Sequence, residues 1–246
     1  MAVVAGVLNE LGGGAAAGIA ERCPTVVLER GAVWRSAHGL DAVVVGVEEG
    51  FVFISTETAD TAIGNGNGHR RRVVVATGQQ GMLLAAPAVG EQLEALTAAR
   101  VSIVAAGPLE ALLGLPPVAE AITRAFVDGL RDRQASIRNC TFVRHSERVR
   151  HTLLQLAGTY GRVVPRGIRI DFPLTHQLLA DMVGSARETV SLALAELSSE
   201  GFLDRHQRDY IIRVGPHELL STVGSSVGAN SRRPSPIDPL RAPALT

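Results

Sequence analysis

The sequence predicts an α+β chain in three successive parts: an N-terminal β-roll, a long central helix and a C-terminal winged helix-turn-helix. Three observations predict it. Short β-prone runs recur between Thr25 and Ala105, a long helical pattern follows Pro116-Pro117, and residues 173–194 read as two short helices on a tight turn with a hairpin behind them.

Residues 1–20 are rich in Ala and Gly and are expected to be a flexible leader. They carry no basic n-region, and Glu10 interrupts them, so they do not read as a signal peptide. No later run has the length and flanks of a membrane span, and a cytoplasmic chain without a membrane partner is expected.

The β-roll is expected over 21–115, from Thr25–Leu28, Ala42–Val47, Phe51–Thr56, Arg72–Ala76 and Val101–Ala105, parted by Gly and polar residues. Asn65-Gly66-Asn67-Gly68 with His69 and Arg70, Arg71 and Arg72 reads as a hairpin tip or loop. A solvated role for those arginines is favoured over phosphate contact. Proline suits a first helical turn, so Pro116-Pro117 open the next part, 116–144. Ile122, Phe126, Leu130, Ile137 and Cys140 fall along one stripe, interrupted by Gly129 and Arg133. Such a stripe is a candidate seam for a homodimer, and packing on its own domain is the alternative.

The last folded part is expected over 145–220. His145-Ser146 break the long helix, and Val149, Leu153, Leu156 and Tyr160 mark another. Thr175 can cap a helix whose apolar face is Leu178, Leu179, Met182 and Val183. Gly184 suits the left-handed position past its end. Ser185 and Glu188 have capping-box spacing, opening a helix that buries Val190, Ala193, Leu194 and Leu197. Arg187, Glu188 and Thr189 then occupy its exposed first turn, the part of a helix-turn-helix that reaches base edges. Phe202–Arg205 and Tyr210–Val214 around a polar turn form the wing. From 221 to 246, Ser, Gly, Pro and Arg without periodicity predict a disordered tail.

Composition adds little. Formal charge is zero, and all 24 basic residues are arginine. Between Arg144 and Arg213 ten arginines face eight acidic residues, so any DNA affinity rests on placement more than on bulk charge. His145, His151, His176 and His206 can add positive charge near an anion. Cys23 and Cys140 are isolated, which excludes an iron–sulfur cysteine cluster and a disulfide framework. No nucleophile–base motif, metal-ligand spacing or phosphate-binding glycine loop is present, so an enzyme is not expected.

The order of parts, and the segments Val-Gly-Ser-Ala-Arg-Glu-Thr-Val and Leu-x-x-Glu-Gly-Phe-Leu over about 145–214, resemble the Crp/Fnr family of bacterial transcription regulators. The resemblance implies a β-roll like a cyclic-nucleotide-binding domain, a homodimer joined through 116–144, and double-stranded DNA with a near-palindromic operator as partner. RNA polymerase is a further implied partner. It also implies that Arg187 and Glu188 read bases, while Thr175, Gln177, Ser185, Thr189 and His206 hold phosphates. Arginine donates a fork to guanine, and glutamate accepts from cytosine N4.

Two departures stand out. Where the cyclic-AMP-responsive members have an arginine one turn past the Arg-Glu pair, this chain has Leu192. Gly90-Glu91 is not followed by Arg-Ser, and Gly81-Met82-Leu83-Leu84 has no carboxylate. Cyclic-nucleotide binding is therefore not expected, and no cofactor is assigned. Haem ligation through His38, His69 or Cys23 stays open, as does an unidentified effector. The rival function is a winged-helix module that binds a protein instead of DNA.

Overall fold

The computed structural model describes residues 18–19, 22–36, 42–59, 70–142, 144–206 and 209–213. Most of the leader, the whole tail, His38 and the stretch 60–69 lie outside them. Strands β1 (Thr25–Leu28), β3 (Ala42–Glu49), β6 (Leu83–Ala85) and β8 (Ala99–Ala105) form one antiparallel sheet in the order β1-β8-β3-β6. A second sheet, ordered β2-β7-β4-β5, joins β2 (Val33–Trp34), β4 (Phe51–Ala59), β5 (Arg70–Gln79) and β7 (Glu91–Ala95). Val45 and Val47 of one sheet meet Val52, Ile54 and Leu93 of the other in a dry interior. The alternation of β-branched residues puts one set inside and leaves the next for the opposite face. At the β3–β4 turn Gly50 has φ +81°, and a Cβ there would lie 2.3 Å from the Ala98 carbonyl. Both the angle and the space require glycine.

Helix α1 (Ala106–Leu113) follows directly, and α2 (Pro116–Cys140) begins with the two prolines as expected. The predicted stripe of α2 does not stay on one side. Val118 and Ile122 are buried against Cys23, Val44, Val104 and Leu112, with Phe126 packed beside them. Leu130 and Ile137 remain 60% and 68% exposed, and Val127 is also exposed. The cause is the first half of α2 lying on the β-roll, which takes one face for its own core. What is left free is a second face, on which Glu120, Thr123, Val127, Leu130, Gln134 and Ile137 recur in alternating steps of three and four. That is coiled-coil spacing.

The C-terminal part contains α3 (His145–Tyr160), α4 (His176–Val183) and α5 (Arg187–Ser199). Its sheet, β11-β12-β10-β9, combines the expected wing, β11 (Leu203–His206) and β12 (Asp209–Ile212), with a hairpin of β9 (Gly161–Val164) and β10 (Gly167–Ile170). The long helix ends at Cys140, and His145 opens the next helix, where a break at His145-Ser146 was expected. Leu153, Leu179, Leu194, Leu197 and Ile212 are all fully buried in one core.

The core of the C-terminal part does not stop at its own border. Phe53 of β4 belongs to it, and Phe51 meets Phe172 edge-on at 5.6 Å and Tyr160 at 6.3 Å. The Tyr160 hydroxyl donates to Thr77 Oγ1 of β5 at 2.7 Å. Burial pushes that phenol well above its ordinary range, so it stays protonated and a donor.

Candidate nucleic-acid interface

Helix α4 starts as the sequence implies. Thr175 Oγ1 accepts from the Leu178 amide at 3.1 Å, which satisfies one of the amides orphaned at a helix start. Gly184 ends the helix at φ +62° and ψ +47°, the left-handed conformation that turns the chain into α5. Ala180 and Val190 are fully buried where the two helices cross.

The capping box does not form. The N-cap of α5 is Ala186, with no side-chain cap bond. Ser185 is buried instead, and its hydroxyl lies 3.0 Å from His145 Nδ1 on α3. The spacing Ser-x-x-Glu was read correctly as a helix start, but the helix is capped one residue later, with Ser185 taken up by a partner on α3. The Ser185 hydroxyl is thereby engaged with α3 rather than with solvent.

Losing the box frees Glu188. Both Arg187 and Glu188 are exposed on the first turn of α5, and no hydrogen bond or ion pair among the described residues holds either side chain. The opposite face of α5, Val190, Ala193, Leu194 and Leu197, is at most 4% exposed. The helix is thus fixed from behind and open in front. Thr189 beside the pair is half-buried.

His176 locks the first turn of α5. Its Nδ1 lies 2.8 Å from Ser191 Oγ, and that hydroxyl donates to the Arg187 carbonyl at 2.9 Å. With its single proton spent on Arg187, Ser191 can only accept from the ring, so Nδ1 carries the hydrogen. Burial, and then the charges of Arg205 and Arg187, hold the His176 pKa below the ordinary histidine value, which favours this neutral ring.

Gln177 is exposed, yet its amide donates to Asp181 Oδ1 at 2.9 Å. Asp181 is buried and also accepts from Arg72 Nε of β5 at 2.7 Å. The same guanidinium reaches Glu94 at 2.8 Å and lies over the Phe53 ring at 5.2 Å. Arg72 therefore clasps the β-roll to α4. Neither the Arg72–Asp181 pair nor the His145–Ser185 and His176–Ser191 contacts stood out in the sequence, since the partners lie 15 to 109 residues apart. Helical spacing could have shown only Asp181, a charge on the otherwise apolar face of α4. His206 ends β11, and its side chain lies outside the description.

A cavity of about 330 Å³ opens where the three parts meet. Val74 and Ala76 of β5, Phe126 and Asp132 of α2, Gln155 of α3 and Met182 of α4 are among its lining. Burial, and secondarily the Asp128 charge, raises the Asp132 pKa from 3.8 to about 6. An acid with a raised folded pKa holds its proton more tightly folded than unfolded. Its full contribution is present below pH 3.8 and is lost as pH rises through about 6. Asp132→Asn is expected to raise stability at pH 7 by on the order of 1 kcal/mol and to flatten the dependence between pH 4 and 6. Urea melts across that range check it.

Cys23 is buried, its thiol facing the Ile19 carbonyl at 3.7 Å, which commits it to the core. Among the described residues no group of three His, Cys, Asp or Glu side chains could hold a metal, and no helix is long and apolar enough to cross a membrane.

The profile of the Crp-like helix-turn-helix domain matches residues 147–221. The CRP-like cAMP-activated global transcriptional regulator of Mycobacterium tuberculosis is 30% identical over 97 residues. That match covers 39% of this chain and 43% of the relative, so it spans less than half of the curated protein. Among solved structures, a CooA double mutant from Carboxydothermus hydrogenoformans superposes with a TM-score of 0.70 at 18% identity, covering 88% of this chain and 95% of that one. FixK2 from Bradyrhizobium japonicum gives 0.62 at 20% identity, covering 81% and 96%. At those identities the likeness is one of fold. Residues 147–221 thus match a Crp-like helix-turn-helix domain, and the chain shares the fold of those solved structures along most of its length.

Proposed function

We propose that this protein is a homodimeric, sequence-specific DNA-binding transcription regulator. The observation that carries the reading is the state of Arg187 and Glu188. They are exposed and unpaired among the described residues, on a first helical turn that His176 and a buried back face hold rigid. A preorganised charged pair at that place suits a guanine O6/N7 fork and a cytosine amino group. Thr175, Gln177, Thr189 and His206 are the proposed phosphate contacts, with Gln177 needing to release Asp181. Ser185 is left out because its hydroxyl is held by His145. Selection from a random duplex pool with the purified protein tests the reading. A recovered near-palindrome supports it, and a pool that stays random defeats it in favour of a protein-binding module.

The dimer is proposed to form through the free face of α2 around Val127, Leu130 and Ile137. A second copy is the fitting occupant, because the three-four spacing is self-complementary along a two-fold axis. Leu130→Asp with Ile137→Asp is expected to give a monomer at micromolar concentration, with the fold kept, by sedimentation velocity. A dimer that survives both charges would place the seam elsewhere.

The cavity at the junction is the proposed seat of an effector. An occupant would touch β5, α2, α3 and α4 together, and so could favour one placement of the reading helices over another by differential affinity. Cyclic nucleotides do not fit the charges at the Gly90-Glu91 turn. The Glu91 carboxylate accepts from the Ala88 amide in its own turn, and Arg100, the next arginine, faces Glu49 at 3.4 Å. At that turn a cyclic phosphate would lack its counter-charge. Millimolar cyclic AMP or cyclic GMP is expected to leave the melting temperature unchanged within a degree or so; a rise of several degrees would overturn this.

A further inference from the structure

Leu192 is 73% exposed on α5. Core packing does not explain it: the buried face is complete without it, in Val190, Ala193, Leu194 and Leu197. It lies four residues past Glu188, hence one turn further along the same open face, with exposed Ala195 next to it. The DNA-facing side of α5 thus changes character along its length, from a charged first turn to an apolar second one. Base edges in the major groove offer hydrogen-bonding groups nearly throughout. The apolar exception is the 5-methyl group of a pyrimidine.

We infer that Leu192 is a specificity-determining residue that reads a pyrimidine 5-methyl group in each half-site. This rests on the DNA-binding reading above. Four residues of helix rise about 6 Å, close to two base-pair steps, so the methyl belongs about two steps from the pair read by Arg187 and Glu188. A leucine can neither donate nor accept there. It gains by excluding water from the methyl, and it leaves a guanine or an unmethylated cytosine edge at that position without a partner. Thymine supplies the methyl in ordinary DNA, and 5-methylcytosine carries the same group.

The test uses the full chain and the duplex recovered by selection. Each thymine of a half-site is replaced in turn by deoxyuridine, which removes the methyl and keeps the pairing. At one position the replacement is expected to weaken binding roughly three- to fourfold, the scale of one methyl withdrawn from an apolar contact, and about tenfold when both half-sites carry it. Leu192→Ala, with an unchanged melting temperature, is expected to bind the thymine and deoxyuridine duplexes equally at that position. A duplex carrying 5-methylcytosine there separates the two sources. Binding restored to the thymine level shows that the methyl itself is read, and no recovery confines the reading to thymine. If no deoxyuridine costs more than twofold, or Leu192→Ala keeps the wild-type penalty, the inference is overturned while Arg187-dependent binding stands. If no duplex is selected at all, the DNA reading has failed and this inference with it.

Discussion

Arg187→Ala is expected to abolish the proposed sequence-specific duplex binding while the fold and the proposed dimer stay intact. The side chain makes no hydrogen bond or ion pair among the described residues, so truncation is expected to cost the folded state little; the Arg187 carbonyl, which accepts from Ser191, is kept by alanine. Loss of an arginine fork costs about 1–3 kcal/mol per half-site. In a symmetric dimer on two half-sites this corresponds to roughly 30-fold to beyond 1,000-fold in affinity. Titration of the selected duplex at fixed salt measures it, and an unchanged footprint would show that α5 does not read guanine through this residue.

Arg72→Ala is expected to be the more damaging change to stability. It strands the Asp181 carboxylate, whose side chain is 6% exposed, and removes the cation from Glu94 and from the Phe53 ring. Stranding a buried charge of this kind costs about 2–4 kcal/mol, toward the low side of a fully buried pair because Arg72 is partly solvated. Gln177 still donates to Asp181 but cannot neutralise it. Adding Asp181→Asn to Arg72→Ala is expected to recover a good part of the loss, since the stranded charge is then gone. Urea unfolding of the two single variants and the double variant gives the coupling directly. Near-additive losses would mean that the clasp is a surface pair of little consequence.

The C-terminal helices and wing were legible because their signals are local. Thr175, Gly184 and the apolar positions of α4 and α5 act within a few residues, and the structure puts each to the use its spacing suggests. The capping box failed because a non-local partner, His145, outbid the helix for Ser185. Strand β7 was missed for a different reason. Glu91-Gln92-Leu93-Glu94-Ala95 buries only Leu93 and Ala95, so the run is too polar to look like a strand, and tertiary pairing with β4 makes it one. Likewise α1 was absorbed into the expected β-roll, and the β9–β10 hairpin passed unremarked around Pro165-Arg166. On α2 the expected single stripe is split, with Ile122 and Phe126 on the β-roll and Leu130 and Ile137 exposed. A helix that packs on its own domain for half its length divides its apolar residues between two faces, and no periodicity in one sequence says which residue goes where. On the first turn of α5 the exposure of Arg187 and Glu188 was foreseeable, whereas the residues that hold the turn in place were not.

The ring contacts of Phe51 with Tyr160 and Phe172, and the burial of Phe53 in the same core, bear on how the chain can be taken apart. An interior that crosses from one half to the other leaves no seam along which to cut. Excising the winged helix at residue 144 would bare the Tyr160 and Phe172 rings together with Met182, and would orphan Asp181 in the same stroke. The winged helix therefore draws cohesion from the β-roll, and heat should dismantle both in one cooperative step. A disturbance at the β4–β5 hairpin accordingly has no slack to cross before it reaches α4.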